Sequence, residues 1–118
     1  MRNRARFRLG DVIDAITQID KLLNGKSISD VQSDRPLKAA FERFLEILSE
    51  AARHIPEELK NSEPDIEWKR VADIGNHLRH AYHRVDAEIL WRLYADGKLQ
   101  ELQDAAARML KKLPEVDQ

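Results

Sequence analysis

The chain has no cysteine. Disulfide staples, thiolate metal sites and cysteine nucleophiles are therefore excluded, which fits a reducing compartment. It also lacks a dominant charge sign, since 20 basic residues face 21 acidic ones. A net charge of -1 gives the whole molecule no electrostatic case for nucleic acid, so any such site must be local. Glycine is scarce, with 4 in 118 residues, and aromatics make up 6%. This poverty, set against 35% charged residues, favours helix. No apolar run approaches the ~20 residues that span a bilayer. The opening MRNRARFRLGD is basic but has no apolar signal-peptide core. These absences lead to the expectation of a soluble cytoplasmic protein, without membrane contact, forming one domain over residues 1–118.

What is present is helical periodicity. Leu9, Val12, Ile13, Ile16, Ile19 and Leu23 predict a first helix over about 8–24, stopped by Gly25. Arg2, Arg4, Arg6 and Arg8 are left as a basic arm before it, disordered or touching RNA backbone. Ser27 to Asp34 has room for one short helical turn. Pro36 suits a first helical turn, and Leu37, Phe41, Phe44, Leu48, Ala51 and Ile55 then alternate four and three apart up to Pro56. Residues 57–63 are expected as loop. Pro64 is expected to open a helix whose apolar positions are Trp68, Val71, Ile74, Leu78 and Ala81, with Asp65 and Glu67 at its positive end. Asp86 is a candidate N-cap for a segment carrying Ile89, Leu90 and Leu93. Gly97 interrupts it, and Leu99, Leu102, Ala106, Met109 and Leu113 make a last helix before Pro114. No stretch alternates with period two. The fold expected is all-α, an antiparallel up-and-down bundle with Leu37, Phe41, Phe44, Leu45, Leu48, Val71, Ile74 and Leu78 in its core.

The polar chemistry is concentrated in WKRVADIGNHLRHAYHRVD, residues 68–86. On a helical wheel Lys69, Asp73, Asn76, His80 and His83 form a row nearly opposite the apolar side, flanked by His77, with Arg79 between row and core. Three readings are open. Charged rows on amphipathic helices are usually solvated. Alternatively, the strip binds anions or acts catalytically. Histidine carries a proton near neutral pH, arginine grips phosphate with paired hydrogen bonds, and RNA cleavage needs both. The third is a metal site. His77 and His83 lie ~9 Å apart along a straight helix, too far for all three histidines to share an ion. A pair of histidines completed by Asp73 or Asp86 is the remaining arrangement, and no metal or other cofactor is expected. His54 is placed as a partner of a helix C-terminus, and Trp68 and Trp91 as packing anchors.

Along nearly its whole length the chain resembles the HEPN superfamily, specifically the HepT-like toxins of two-gene toxin–antitoxin modules. The likeness runs through RFRLGDVIDAITQI, DRPLKAAFERFLEILSEAARHIP, Trp68 and VDAEILWRL. It implies a HEPN-like bundle that forms a homodimer, with the motif in a cleft between subunits and metal-independent cleavage of an RNA substrate. It also implies a minimal nucleotidyltransferase antitoxin as partner, which attaches AMP to the motif tyrosine. The family motif is Arg, a polar residue often Asn, three residues, His, one residue, Tyr. Asn76, His80 and Tyr82 match it, which makes Tyr82 the implied modification target. Gly75 stands where the arginine belongs. Arg79, three residues from Asn76, is the candidate substitute, and Arg70 with His77 satisfies a looser spacing in another register. The expected site is therefore Asn76, Arg79 and His80, supported by His77 and His83, and Gly75→Arg is expected to leave activity equal or higher. The alternatives are a non-catalytic HEPN module that binds a nucleotidyltransferase, with nucleotide or RNA, and a purely structural dimer.

Overall fold

The computed structural model describes residues 2–80 and 86–114, with side chains from Arg4 onward. Among the described residues the chain is all-α: α1 (Arg2–Leu23), α2 (Ile28–Ser33), α3 (Arg35–Arg53), α4 (Glu57–Lys60), α5 (Trp68–His80), α6 (Ala87–Ala95) and α7 (Lys98–Lys112). The bundle is antiparallel. α3 is central, packed against α1 on one side and α5 on the other, and α7 lies along α1. Arg6 at the start of α1 meets Leu113 just past the end of α7, and Gln103 meets Ile13 and Thr17, so these two helices run in opposite directions.

The helix ends follow local chemistry. Gly25 takes φ +80°, which ends the turn after α1 where other residues would be strained. Ser27 and Asp30 cap each other reciprocally at the start of α2. Asp34 closes α2 and opens α3, its carboxylate accepting from the Leu37 N–H at 3.1 Å, with Pro36 in the first turn. Asp86 caps α6 by accepting from the Glu88 N–H at 2.9 Å.

Three boundaries differ from the sequence expectation. The basic arm is helix, because Ala5 extends the buried stripe of Leu9, Val12, Ile16, Ile19 and Leu23 by one more turn. Arg6 then donates to the Pro114 carbonyl at 2.7 Å, satisfying an acceptor just beyond α7. Residues 57–63 contain α4. α5 starts at Trp68 and not at Pro64, since Glu63 holds the preceding segment in a loop. The Glu63 carbonyl accepts from Trp68 Nε1 at 3.2 Å, and its buried carboxylate takes two hydrogen bonds from Arg108 on α7, at 2.8 and 3.1 Å.

The core also departs from expectation at α5. Leu37, Phe41, Leu45 and Leu48 are buried as predicted. Phe44, Val71, Ile74 and Leu78 pack on the core but are only half-buried, because α5 has α3 as its one substantial neighbour. The sole buried residue of α5 is Gly75.

Phe41→Ala should cost about 3–5 kcal/mol, as for other buried Phe truncations. Phe44→Ala should cost clearly less in the same dilute denaturant melts, and equal losses would contradict this burial pattern. The Arg108 hydrogen bonds hold the Glu63 carboxyl below its ordinary value of 4.5, against an opposing push from burial. In the unfolded chain the group returns to that value. The ion pair's contribution is therefore complete above about pH 4.5 and fades as pH falls from there through the lower folded value. Glu63→Gln should lower stability at neutral pH and flatten this acid limb. Parallel urea-midpoint curves for variant and wild type between pH 3 and 5 would contradict it.

Candidate functional site

Asp73, Asn76, His77 and His80 line one open groove of about 420 Å³ on the outer side of α5. Asp73, Asn76 and His80 stand at i, i+3 and i+7, so successive turns present them on one face. All four are exposed, which leaves the ring nitrogens and the amide free to meet a ligand. Tyr82 and His83 lie outside the described residues. Among the described residues, no three His, Asp or Glu side chains converge to hold a metal ion. His54 caps the end of α3 and pairs with Glu50 at 2.8 Å, away from the groove lining. Trp68 and Trp91 are half-buried against the core, as anchors.

The close contact between α3 and α5 explains Gly75. Ser49 on α3 is fully buried. Its hydroxyl accepts from the Gly75 N–H at 2.9 Å and donates its one proton to the Val71 carbonyl at 2.7 Å, with the Ala72 carbonyl 3.0 Å away. It therefore bridges the same N–H and C=O that an α-helix joins directly four residues apart. A β-carbon on Gly75 would come to 2.8 Å from Ser49 Oγ and 3.1 Å from Ser49 Cβ. Ser49 cannot turn aside without leaving buried polar groups unpaired. A side chain at position 75 therefore requires the Ser49 side chain to shift, a packing demand that the motif pattern behind the Gly75→Arg expectation does not contain. Gly75 stands out in the sequence only as a departure from the motif, and its contact with Ser49 does not show there. The available sign was a serine inside the apolar seam of α3 opposite a glycine in a helix interior.

The same geometry places Arg79. Its Nη1 lies 3.3 Å from the point a Gly75 β-carbon would occupy. Helical side chains lean toward the N-terminus, so a residue one turn later covers the surface above position 75. The missing side chain at Gly75 leaves open the ground over which the guanidinium of Arg79 folds. Nearby, the Glu50 carboxyl is held below its ordinary value, first by the hydrogen bond from His54 and more weakly by the charges of Arg53 and Arg79. Arg70, the candidate in the other register, pairs with Glu67 at 3.3 Å near the start of α5 and is absent from the groove lining.

With this geometry in view, the comparisons with known proteins are informative. A family model described as "Ribonuclease HepT-like" matches residues 12–109. A protein of Thermococcus cleftensis named "Probable ribonuclease HepT" is 31% identical over 108 residues, 86% of this chain and 98% of that protein. A protein of Caldanaerobacter subterraneus subsp. tengcongensis named as a candidate RNase is 31% identical over 90 residues, 76% of this chain and 80% of its own. Another so named, from Methanocaldococcus jannaschii, is 29% identical over 86 residues, 73% and 71% of the two chains. No solved structure matches the chain.

Gly75→Ala should destabilise the protein, because overpacking of about 1–3 kcal/mol outweighs the propensity gain of alanine. At the exposed Gly10, where a β-carbon meets nothing within 4 Å, the same change should stabilise by about 0.5–1 kcal/mol. Thermal melts of dilute protein that give both variants the same sign would contradict the close approach of Ser49.

Proposed function

The chain belongs to the HepT-like ribonuclease family, and on that premise we propose that it is the ribonuclease toxin of a two-gene toxin–antitoxin module. The observation that carries this reading is the groove that exposes Asn76, His77 and His80 on one face of α5, with the guanidinium of Arg79 outside its lining, over Gly75 on the same helix. The glycine would otherwise argue for a site without its cation. In the proposed reaction the substrate 2′-oxygen attacks the adjacent phosphorus as His80 takes its proton. Arg79 and Asn76 hold the phosphate oxygens while charge develops on them. The bond to the 5′-oxygen breaks, and that oxygen takes a proton from His80 of a second copy, leaving a 2′,3′-cyclic phosphate. His77 and His83 add positive potential when protonated. No metal enters this scheme.

The second copy is part of the proposal. One helix face has no walls to exclude water, and α5 leaves Val71, Ile74 and Leu78 half-buried beside half-buried Phe44. Two α5 helices meeting about a two-fold axis would cover these side chains and turn two open grooves into one cleft. A minimal nucleotidyltransferase would act as antitoxin by adding AMP to Tyr82, two residues beyond His80.

A second reading, a non-catalytic module that binds the nucleotidyltransferase, is favoured by Gly75 alone, which stands in place of the motif arginine. Cleavage of a mixed-sequence RNA separates the two. His80→Ala should lower the cleavage rate by about 10²–10⁴-fold, the scale of a lost general base. Arg79→Ala should lower it by about 10²–10³-fold, the scale of a lost charge-stabilising donor, with an unchanged melt. Wild-type protein that cleaves nothing, or cleavage indifferent to both substitutions, would transfer the argument to the second reading.

A further inference from the structure

The outer face of α1 carries two features that nothing among the described residues explains. Phe7 is 72% exposed. Gly10 sits in the helix interior, at ordinary helical φ, with nothing within 4 Å of an added β-carbon. Glycine there loosens the helix relative to alanine, and no internal contact requires it. A single exposed aromatic is common on protein surfaces. An exposed ring one turn from an unneeded glycine is a knob beside a hole.

The charges along the same face are ordered. Arg4 lies on the N-terminal side of Gly10, and Asp11 and Asp14 on the C-terminal side. Arg4, Asp11 and Asp14 are exposed, and no ion pair among the described residues engages any of the three. In an antiparallel pair of helices, a register that sets Phe7 against Gly10 of the other helix also sets Arg4 within one residue of the other's Asp14. The two-fold axis then repeats both contacts. A lone Phe–Arg surface also suits single-stranded RNA, but Asp11 and Asp14 beside the ring would repel its phosphates.

We propose that the outer face of α1 docks the same face of a second copy of this chain, with Phe7 seated over Gly10 and Arg4 paired with Asp14. α1 packs inward on α3 and α7, whereas α5 packs on α3, so this face is separate from the catalytic groove. The inference does not depend on RNA cleavage. If α5 also pairs, each protomer has two self-complementary faces, and assembly continues past the dimer.

Sedimentation equilibrium from micromolar to millimolar protein tests this with five samples besides wild type. These are Arg4→Glu, Asp14→Lys, the double variant, a 1:1 mixture of the two single variants, and Phe7→Ser, each checked for helicity by circular dichroism. Either single variant alone sets like charges against each other twice, and one association step should weaken at least tenfold. The double variant restores opposite charges, and so does the mixture, in which each single variant pairs with the other. Both should regain the step. Phe7→Ser should weaken the same step without any charge change. Wild-type protein that stays monomeric would overturn the proposal. So would single variants that associate as wild type does, or a mixture that fails to regain the step.

Discussion

The hydroxyl of Ser49 sets the distance between α3 and α5, and the rest of the site depends on that distance. A buried hydroxyl is tolerated only when its hydrogen bonds are made, and here the partners are backbone groups of the neighbouring helix. To reach them α3 approaches until a β-carbon at position 75 would stand 2.8 Å from Ser49 Oγ, closer than an unshifted side chain allows. The glycine then opens the surface over which Arg79 reaches back. One hydrogen-bonded contact therefore ties together where α5 lies, the glycine at position 75 and the surface that the guanidinium of Arg79 covers.

Much of the fold was legible in the pattern of apolar residues. The four-three seam of α3 gave its buried face, and Asp34, Asp86, Gly25 and Gly97 marked boundaries through capping or positive φ. The misplaced elements share a cause. The N-terminal turn of α1 is held by Arg6 reaching a carbonyl 108 residues away, and the start of α5 is delayed by Glu63 pairing with Arg108, 45 residues on. Neither contact has a local period. The half-burial of Phe44, Val71 and Ile74 was illegible for a different reason: periodicity identifies an apolar face but not which surface, or whose, covers it.

The site was legible as a set of residue types and not as an arrangement. Asn76, His77 and His80 could be placed on one face by helical geometry alone, and they share a groove. Arg79 lies off that face, between it and the core, and only the direction in which helical side chains lean explains its position above Gly75. Net charge was no guide, because a nearly neutral chain can still concentrate histidine and arginine on one turn of one helix.

The edge position of α5 has a consequence for how the protein loses order. Local opening costs less where an element has few buried contacts, and among the described residues α5 buries only a glycine. Its backbone amides should exchange with solvent well before those of α1, α3 and α7, which share the fully buried side chains. The helix with the motif is therefore, of the four long helices, the one this fold can release first while its core stays assembled. Anything that grips α5, whether substrate, partner or second copy, would act on the least buried of those four, converting a loosely held helix into a rigid one at little cost to the rest.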